Sequence, residues 1–158
     1  MTKKNCQLIL HTIRSVHNVG SIFRTADAVG VTAIHLVGYT PHPLDRFGRE
    51  RTDLAKVALG AEKNVPWEAH DSVLDVISNL KKSGFSIVAL EQTDSSIDYK
   101  DYDPPEKFAL ILGNEPNGIP KEVLQLCDSR IEIPMNGEKE SLNVGVAAGI
   151  ALYRLLDV

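Results

Sequence analysis

Side chains that could bind or activate a ligand cluster near the C-terminus. An apolar stretch expected to form a strand over 131–133 stops at Pro134, and a charged loop follows. From Ser141 the spacing predicts a helix rich in glycine and alanine. Ser is a favoured N-cap, and small residues let another backbone approach closely. We therefore expect a loop built around a small ligand, then a tightly packed helix. Because Ser141 has no evident His and acid partners, an N-cap role is favoured over a nucleophile.

A second polar group lies on the helix predicted over 18–29. Its apolar residues form one face, and Gly30 is placed to end it. Asn18 and Arg24 fall outside that face. Such a helix start could hold an anion. A solvated outer face with Asn18 as N-cap explains the same residues, and helix geometry alone favours that alternative.

A third group directly follows a buried apolar run over 108–112. Gly113 permits close approach of the backbone to a ligand, and Glu115 stands where the strand ends. In parallel α/β sheets, ligands gather at the carboxyl ends of strands. A surface turn before a helix started by Pro120 is equally compatible with this segment.

The elements needed to position these groups alternate along the chain. Strands are expected over 7–10, 33–37, 85–90, 108–112 and 131–133. Helices are expected over 18–29, from Thr52 or Asp53 to Leu59, from Ser72 to Gly84, from Pro120 to Cys127, and over 141–156. Alternation of this kind predicts a parallel α/β sheet with helices on both faces.

Composition excludes several classes of protein. The 158 residues fit one domain, and 43% hydrophobic with 24% charged residues is ordinary for a globular protein. The longest apolar run, 144–153, is well short of the roughly 20 residues that span a bilayer. Two cysteines without metal-like spacing favour a reduced, cytoplasmic protein. The five histidines show no ligand spacing, so no metal is expected.

Cofactor and partner signals are mixed. Neither a Gly-x-Gly-x-x-Gly segment nor a phosphate loop is present. A net charge of −4 argues against general nucleic-acid affinity, which rests on phosphate neutralisation. A protein with negative net charge can still bind nucleic acid through a local basic patch. Three arginines fall within six residues: Arg46, Arg49 and Arg51. A solvated charged loop explains them equally well.

Considered together, the three polar segments are far more specific. Residues 17–27, 112–119 and 133–149 resemble, in order and spacing, motifs 1, 2 and 3 of the SpoU/TrmH family of RNA ribose 2′-O-methyltransferases. The resemblance covers nearly the whole chain. Two positions depart from the family pattern: Pro116 replaces a small or polar residue, and Gly145 replaces a common Ser.

The resemblance implies a SPOUT fold, in which the C-terminal part of a parallel α/β sheet forms a deep trefoil knot. It implies a homodimer, with one SpoU-type methyltransferase domain over 1–158 and no N-terminal RNA-binding extension. The implied cofactor is S-adenosylmethionine, bound in the knot loops. Its expected contacts are Leu90, Glu91, Gly113, Ile133, Met135 and Leu142.

The implied reaction is methylation of a ribose 2′-hydroxyl in tRNA or rRNA. The residues expected to serve it are Asn18, Arg24, Glu115, Ser141 and Asn143. A guanidinium is effectively always protonated, so Arg24 is expected to clamp a phosphate or stabilise alkoxide charge. The arginines of 46–51 would bind the RNA. Two alternatives stay open: a non-catalytic knotted RNA-binding protein, and a methyltransferase for small molecules or proteins.

Overall fold

A computed structural model of the chain describes residues 3–158 and arranges them around a seven-stranded parallel sheet. The strands are β1 (Asn5–His11), β2 (Ala33–Val37), β3 (Trp67–His70), β4 (Ser86–Leu90), β5 (Ile97–Asp98), β6 (Lys107–Leu112) and β7 (Ser129–Glu132). Their order across the sheet is β3-β2-β1-β6-β4-β7-β5. The predicted parallel α/β class is confirmed. Met1 and Thr2, which belong to the single domain predicted over 1–158, lie outside the described residues.

Helices cover both faces of the sheet, as predicted. They are α1 (Val16–Val29), α2 (Thr52–Ala58), α3 (Ala61–Asn64), α4 (Val73–Lys82), α5 (Lys121–Leu124) and α6 (Val144–Leu155). Helices α1, α2, α3 and α6 bury one core, in which Phe23 and Phe108 are fully buried. Helices α4 and α5 bury the other, around Ile77 and Ile111. Within residues 3–158, no helix is both long and apolar enough to cross a bilayer.

The start of α1 differs from the prediction for a reason that bears on function. Ser15, not Asn18, is the N-cap: its hydroxyl accepts a hydrogen bond from the backbone N–H of Asn18 at 3.1 Å. The helix therefore begins two residues earlier, at Val16. Asn18 is only 6% exposed, so the expectation of a solvated outer face at this position is wrong. The end at Gly30, in the left-handed region at φ 82°, is as predicted.

The start of α6 is a second correction. Asn143 caps the helix, with Oδ1 accepting hydrogen bonds from the backbone N–H groups of Gly145 at 2.9 Å and Val146 at 3.3 Å. Ser141, the predicted cap, lies two residues earlier in an exposed loop. Both side chains can cap a helix. Asn143 is the residue that caps α6, because its side-chain amide also forms a hydrogen bond with Asn18 across the fold.

Smaller differences concern short elements. Helix α2 is preceded by Arg51 as N-cap, without a side-chain hydrogen bond, instead of being capped by Thr52 or Asp53. Helix α5 ends at Leu124, three residues before the predicted end. The short strands β3 and β5 and the single turn α3 were not expected from the sequence. Their few residues are largely polar or half-exposed, so the apolar periodicity that reveals longer elements is missing.

A polar strip crosses one face of the sheet near its β3 edge. The His35 ring contacts Oε1 of Gln7 through Nε2 at 2.7 Å, and Nε2 of His70 through Nδ1 at 3.0 Å. Glu68 Oε2 lies 3.4 Å from His70 Nε2. Burial lowers the pKa of His35; the nearby His70 lowers it further, and Glu68 partly opposes both. His35 is therefore neutral at pH 7.

Another histidine, His11, lies at the end of β1 with part of its ring buried. Nδ1 of His11 is buried and has no hydrogen-bond partner within residues 3–158. Burial lowers the pKa of His11 below its ordinary 6.5, because the charged ring would lose hydration.

The buried His11 ring predicts that the free energy of unfolding depends on pH. Because the pKa of His11 is depressed in the folded state, the unfolded chain binds more protons, and folded stability is lost as pH falls through 6.5. The change His11→Gln should make the free energy of unfolding vary less steeply between pH 7 and 5.5, by at most about 1.4 kcal/mol per pH unit. Urea unfolding at several pH values measures this slope. The exposed His17→Gln is the control; equal slopes in both variants would contradict the prediction.

Candidate active site

A cavity of about 340 Å³ opens at the carboxyl ends of β4, β6 and β7. Its volume lies within the range of roughly 300–1,000 Å³ typical of small-molecule pockets. The loops after all three strands contribute to its wall, and apolar side chains alternate there with polar groups. All six residues expected to contact a cofactor line it: Leu90, Glu91, Gly113, Ile133, Met135 and Leu142.

One side of the cavity depends on contacts between Glu91 and the loop after β6. The carboxylate of Glu91 accepts hydrogen bonds from the backbone N–H of Ile119 at 2.8 Å and of Gln92 at 3.2 Å. Gly113 packs inside the same loop: a Cβ there would lie 2.6 Å from the carbonyl carbon of Gly118. Only glycine fits at position 113. Glu91 therefore also holds the loop in place, a role that the sequence did not suggest.

Glu115 ties this loop to the start of α1. Its carboxylate accepts hydrogen bonds from the backbone N–H of Arg14 at 3.0 Å and of Ser15 at 3.3 Å, and from the side-chain amide of Asn18 at 3.3 Å. Partial burial raises the pKa of Glu115, but these hydrogen bonds outweigh burial and leave the pKa below its usual range. Glu115 is thus an ionised acceptor at neutral pH, suited to anchoring and not to donating a proton.

Asn18 carries the connection on to α6. Its Oδ1 accepts a hydrogen bond of 3.1 Å from Nδ2 of Asn143, whose own oxygen caps the helix. The chain Glu115–Asn18–Asn143 therefore joins all three polar segments of the sequence. Because both ends of the Asn18 amide are engaged, its orientation is fixed. Three of the five residues expected to be catalytic are brought together here.

Arg24 and Ser141 stand apart from this network. Arg24 is exposed on α1, about 9 Å along the helix axis from Asn18, and does not line the cavity. No hydrogen bond or ion pair involves its side chain within the described part of the chain. Ser141 lines the cavity with its side chain exposed. Arg24 is therefore placed to meet a large substrate outside the cavity, and Ser141 stands at the rim.

The chain between β2 and α2 forms an ordered basic projection, which we call the arginine loop (residues 44–51). Leu44 and Glu50 form an antiparallel bridge at its base. At its tip the guanidinium groups of Arg46 and Arg49 lie 4.9 and 5.0 Å from the centre of the Phe47 ring, which is 67% exposed. Sequence reasoning missed Phe47, although an aromatic residue between arginines is itself a signal for stacking on nucleobases.

Ion pairs hold part of this loop. Arg49 pairs with Asp45 at 3.1 Å, and Arg51 pairs with Asp53 at 3.0 Å. Hydrogen bonds from the backbone and side chain of Arg49 outweigh slight desolvation and lower the pKa of Asp45. Arg46 makes no ion pair with any residue in 3–158. The three predicted RNA-binding arginines thus belong to one loop, and of the three only Arg46 makes no ion pair with the described residues.

Asn114 is a further functional candidate that the sequence analysis missed. It is 5% exposed, and its amide nitrogen donates to the carbonyl oxygen of Thr12 and to the hydroxyl of Tyr39, each at 2.8 Å. Its Oδ1 accepts from the backbone N–H of Asn117 at 3.1 Å. Asn114 therefore connects the loops after β1, β2 and β6. Its position directly before Glu115 was the available signal.

The two residues that depart from the family pattern are accommodated. Pro116 lies in a turn closed by a hydrogen bond of 2.8 Å from the N–H of Gly118 to the carbonyl of Asn114, a turn that needs no N–H at position 116. A Cβ on Gly145 would lie 3.2 Å from Oδ1 of Asn143. Glycine at 145 thus leaves room for the helix cap.

Thiol chemistry does not serve this site. Cys6 is buried, and burial raises the pKa of Cys127 to about 11 despite the nearby Arg130 and Lys81. A thiol with such a pKa is not a nucleophile at neutral pH. Neither cysteine lines the cavity.

A comparison with known proteins identifies the family. The model of the SpoU rRNA Methylase family matches residues 5–153. The chain belongs to this family. Among curated relatives, this SpoU chain is 35% identical over 144 residues to the tRNA (guanosine(18)-2′-O)-methyltransferase of Escherichia coli K12, covering 91% of this chain and 59% of that protein. It thus spans less than two thirds of that relative's length.

Solved structures show the same SpoU fold. The AdoMet-bound rRNA methyltransferase from Sinorhizobium meliloti superposes with a TM-score of 0.86 at 29% identity, covering 97% of this chain and 56% of that one. A chain solved to explain the 2-OH methylation of C/U34 on tRNA gives a TM-score of 0.83 at 27% identity. Coverage there is 97% of this chain and 95% of the other.

The packing of Gly113 gives a direct test of the cavity wall. A methyl group from Gly113→Ala cannot be placed without moving the loop after β6, so we expect a loss of about 1–3 kcal/mol in the free energy of unfolding. The matched control is Gly137→Ala, where nothing lies within 4 Å. Its stability should stay within about 0.5 kcal/mol of the parent. Equal effects of both changes in chemical denaturation would refute the packing argument.

Proposed function

We propose that this protein transfers a methyl group from S-adenosylmethionine to a ribose 2′-hydroxyl of tRNA or rRNA. The observation that carries the proposal is the network Glu115–Asn18–Asn143, which assembles all three family motifs beside one ligand-sized cavity. The name of the Escherichia coli relative and the AdoMet-bound state of the Sinorhizobium structure support it.

The cavity fits the proposed cofactor in size and in lining. Apolar contacts would come from Leu90, Met135 and Leu142, and the backbone after Gly113 can approach a ligand closely. When bound, S-adenosylmethionine would supply a methyl group activated by attachment to a positive sulfur. The protein must then place a hydroxyl in line with that group and exclude competing water.

The chain's own residues divide this task. Asn18, held between Glu115 and Asn143, is fixed well enough to orient a ribose. Arg24 would bind the target phosphate or stabilise the oxygen as its proton leaves, since a guanidinium does not accept protons. The Ser141 hydroxyl at the rim would order the substrate. Solvent at the exposed rim would accept the hydroxyl proton.

A tRNA target is favoured over rRNA by one comparison. The solved chain concerned with C/U34 on tRNA is matched over 95% of its length, far more completely than the Escherichia coli or Sinorhizobium proteins. The arginine loop would bind the RNA backbone, and Phe47, between Arg46 and Arg49, would stack on an unpaired base. We accordingly propose a nucleotide in a single-stranded loop of tRNA, reached in the cytoplasm.

We further propose a homodimer and a C-terminal trefoil knot within one SpoU-type domain. Helix α6 exposes an apolar stripe at helical spacing: Val146 at 52%, Ile150 at 37% and Tyr153 at 45%. A second copy would cover this stripe. Arg24 would then lie beside the interface, because its neighbour Thr25 faces Gly149 of α6.

The knot is supported by the fold shared with SpoU structures and by the convergence of the loops after β6 and β7 on the cavity.

A transfer assay tests the activity. Purified protein, methyl-labelled S-adenosylmethionine and total RNA from a strain lacking this gene should yield one 2′-O-methyl nucleoside by mass spectrometry.

Arg24→Ala should lower kcat/KM by about 100-fold or more but leave cofactor affinity unchanged, since Arg24 does not line the cavity. Lys82→Ala, on the opposite face, is the charge-loss control. Full activity of Arg24→Ala would overturn the residue's role; cofactor binding without transfer to any RNA would favour the non-catalytic alternative.

Salt dependence tests the arginine loop. Removing one arginine that neutralises a phosphate should reduce the slope of log K against log salt by about 0.9 for a duplex region or about 0.7 for a single strand. Arg46→Ala should show the larger effect, since Arg49 is already paired with Asp45. Fluorescence anisotropy with labelled tRNA at about 50–200 mM salt, where such binding changes steeply, measures the slope. An unchanged slope in the double variant Arg46→Ala, Arg49→Ala would show that the RNA binds elsewhere.

A further inference from the structure

Three side chains that bind metals well converge at the β3 edge of the sheet, two strands or more from the cavity. His35 of β2 is paired in register with Glu68 of β3, and His70 follows on the same face of β3. One ligand atom from each lies within 4.8 Å of the others. These residues belong to neither the cavity nor the arginine loop, and the proposed methyl transfer gives them no role.

We propose that His35, Glu68 and His70 form a zinc-binding site that fastens the edge strand β3 to β2. A tetrahedral zinc ion with Zn–N bonds of about 2.0–2.1 Å requires neighbouring ligand atoms about 3.3 Å apart. The observed separations are 3.0 Å between the two imidazole nitrogens and 3.4 Å between His70 and Glu68. Two of the three separations therefore match the spacing that the ion needs. The third, between His35 and Glu68, is within 4.8 Å, and a rotation of the exposed Glu68 side chain would complete the set.

The choice of donors selects the kind of metal. Two imidazoles and one carboxylate suit zinc and similar transition metals, whereas magnesium and calcium prefer oxygen ligands alone. Glu68 is exposed and both rings are half-buried, so ions can enter from solvent and water can complete the tetrahedron. Three protein ligands plus one water is a coordination that zinc commonly adopts.

Gln7 supplies the outer support that metal-binding histidines usually have. The 2.7 Å contact assigns the proton of His35 to Nε2, which donates to Oε1 of Gln7. The lone pair on Nδ1 of His35 is then directed at His70. Without metal, Nε2–H of His70 donates to this lone pair. To bind the metal, Nε2 of His70 must present a lone pair, so the proton of this ring moves from Nε2 to Nδ1. The tautomer of His35 stays unchanged.

Sequence reasoning expected no metal because it examined ligand spacing along the chain. His35 and His70 are 35 residues apart, and only the parallel register of β2 with β3 brings them together.

Isothermal titration of the full chain with zinc alone, after treatment with a chelator, tests the proposal. One equivalent should bind. Glu68→Gln, an exposed change that spares the fold, should weaken binding at least tenfold, and Gln7→Met by about 10- to 100-fold although it removes no ligand. His42→Ala and Cys127→Ser are controls for other zinc ligands and should bind as the parent does. No saturable binding, or equal binding by all five proteins, would overturn the site.

Nitrogen-15 correlated NMR of the imidazole rings is a second test, because it reports directly which ring nitrogen of each histidine carries the proton. Zinc should convert His70 from the Nε2–H to the Nδ1–H tautomer and leave His35 as Nε2–H. Unchanged tautomers at saturating zinc would place the ion elsewhere and reject the proposal. Because neither measurement involves RNA or S-adenosylmethionine, their result is independent of whether the proposed methyl transfer is correct.

Discussion

The carboxylate of Glu115 is the contact on which the arrangement of the site depends. It accepts hydrogen bonds from the first backbone N–H groups before α1 and from Asn18, 97 residues away in the sequence. A helix N-terminus carries partial positive charge, so the ionised carboxylate is stabilised where it stands. Through Asn18 the same contact reaches Asn143, which is 125 residues from Asn18, and fixes the first turn of α6. Polar networks of this kind stabilise only when every member is satisfied.

Around that network the molecule separates fixed parts from free ones. Glu91, Gly113 and Asn114 hold the cavity loops through hydrogen bonds to the backbone and through close packing. Arg24 and Phe47, by contrast, are exposed and carry chemistry suited to a polyanion. A ligand in the cavity would thus meet residues held by many contacts, whereas a larger one outside it would meet exposed side chains.

The long buried strands and the three motif segments could be predicted from sequence because apolar runs and unusual polar clusters are local signals. Two competing caps, Ser141 and Asn143, could not be separated, since the decision rests on the bond from Asn143 to Asn18 across the fold. Strands β3 and β5 escaped prediction because register with a neighbour, not their own composition, creates them. The residues His35 and His70 meet for the same reason. Arg24 was predicted to lie outside the apolar face of its helix, and it is exposed; its separation from the cavity could not be predicted, because that depends on how the helix packs in the fold.

The central position of β1 governs how the protein emerges during synthesis. Asn5 at the start of β1 pairs with Lys107 at the start of β6, so one edge of the first strand stays open until most of the chain has left the ribosome. Nascent chains with open apolar edges are prone to wrong pairing and to aggregation. Since Asn143 is added later still, no partial translation product can hold the site together. A chain that ends before α6 therefore lacks the contact that joins the three polar segments and leaves uncovered the part of the core on which α6 packs.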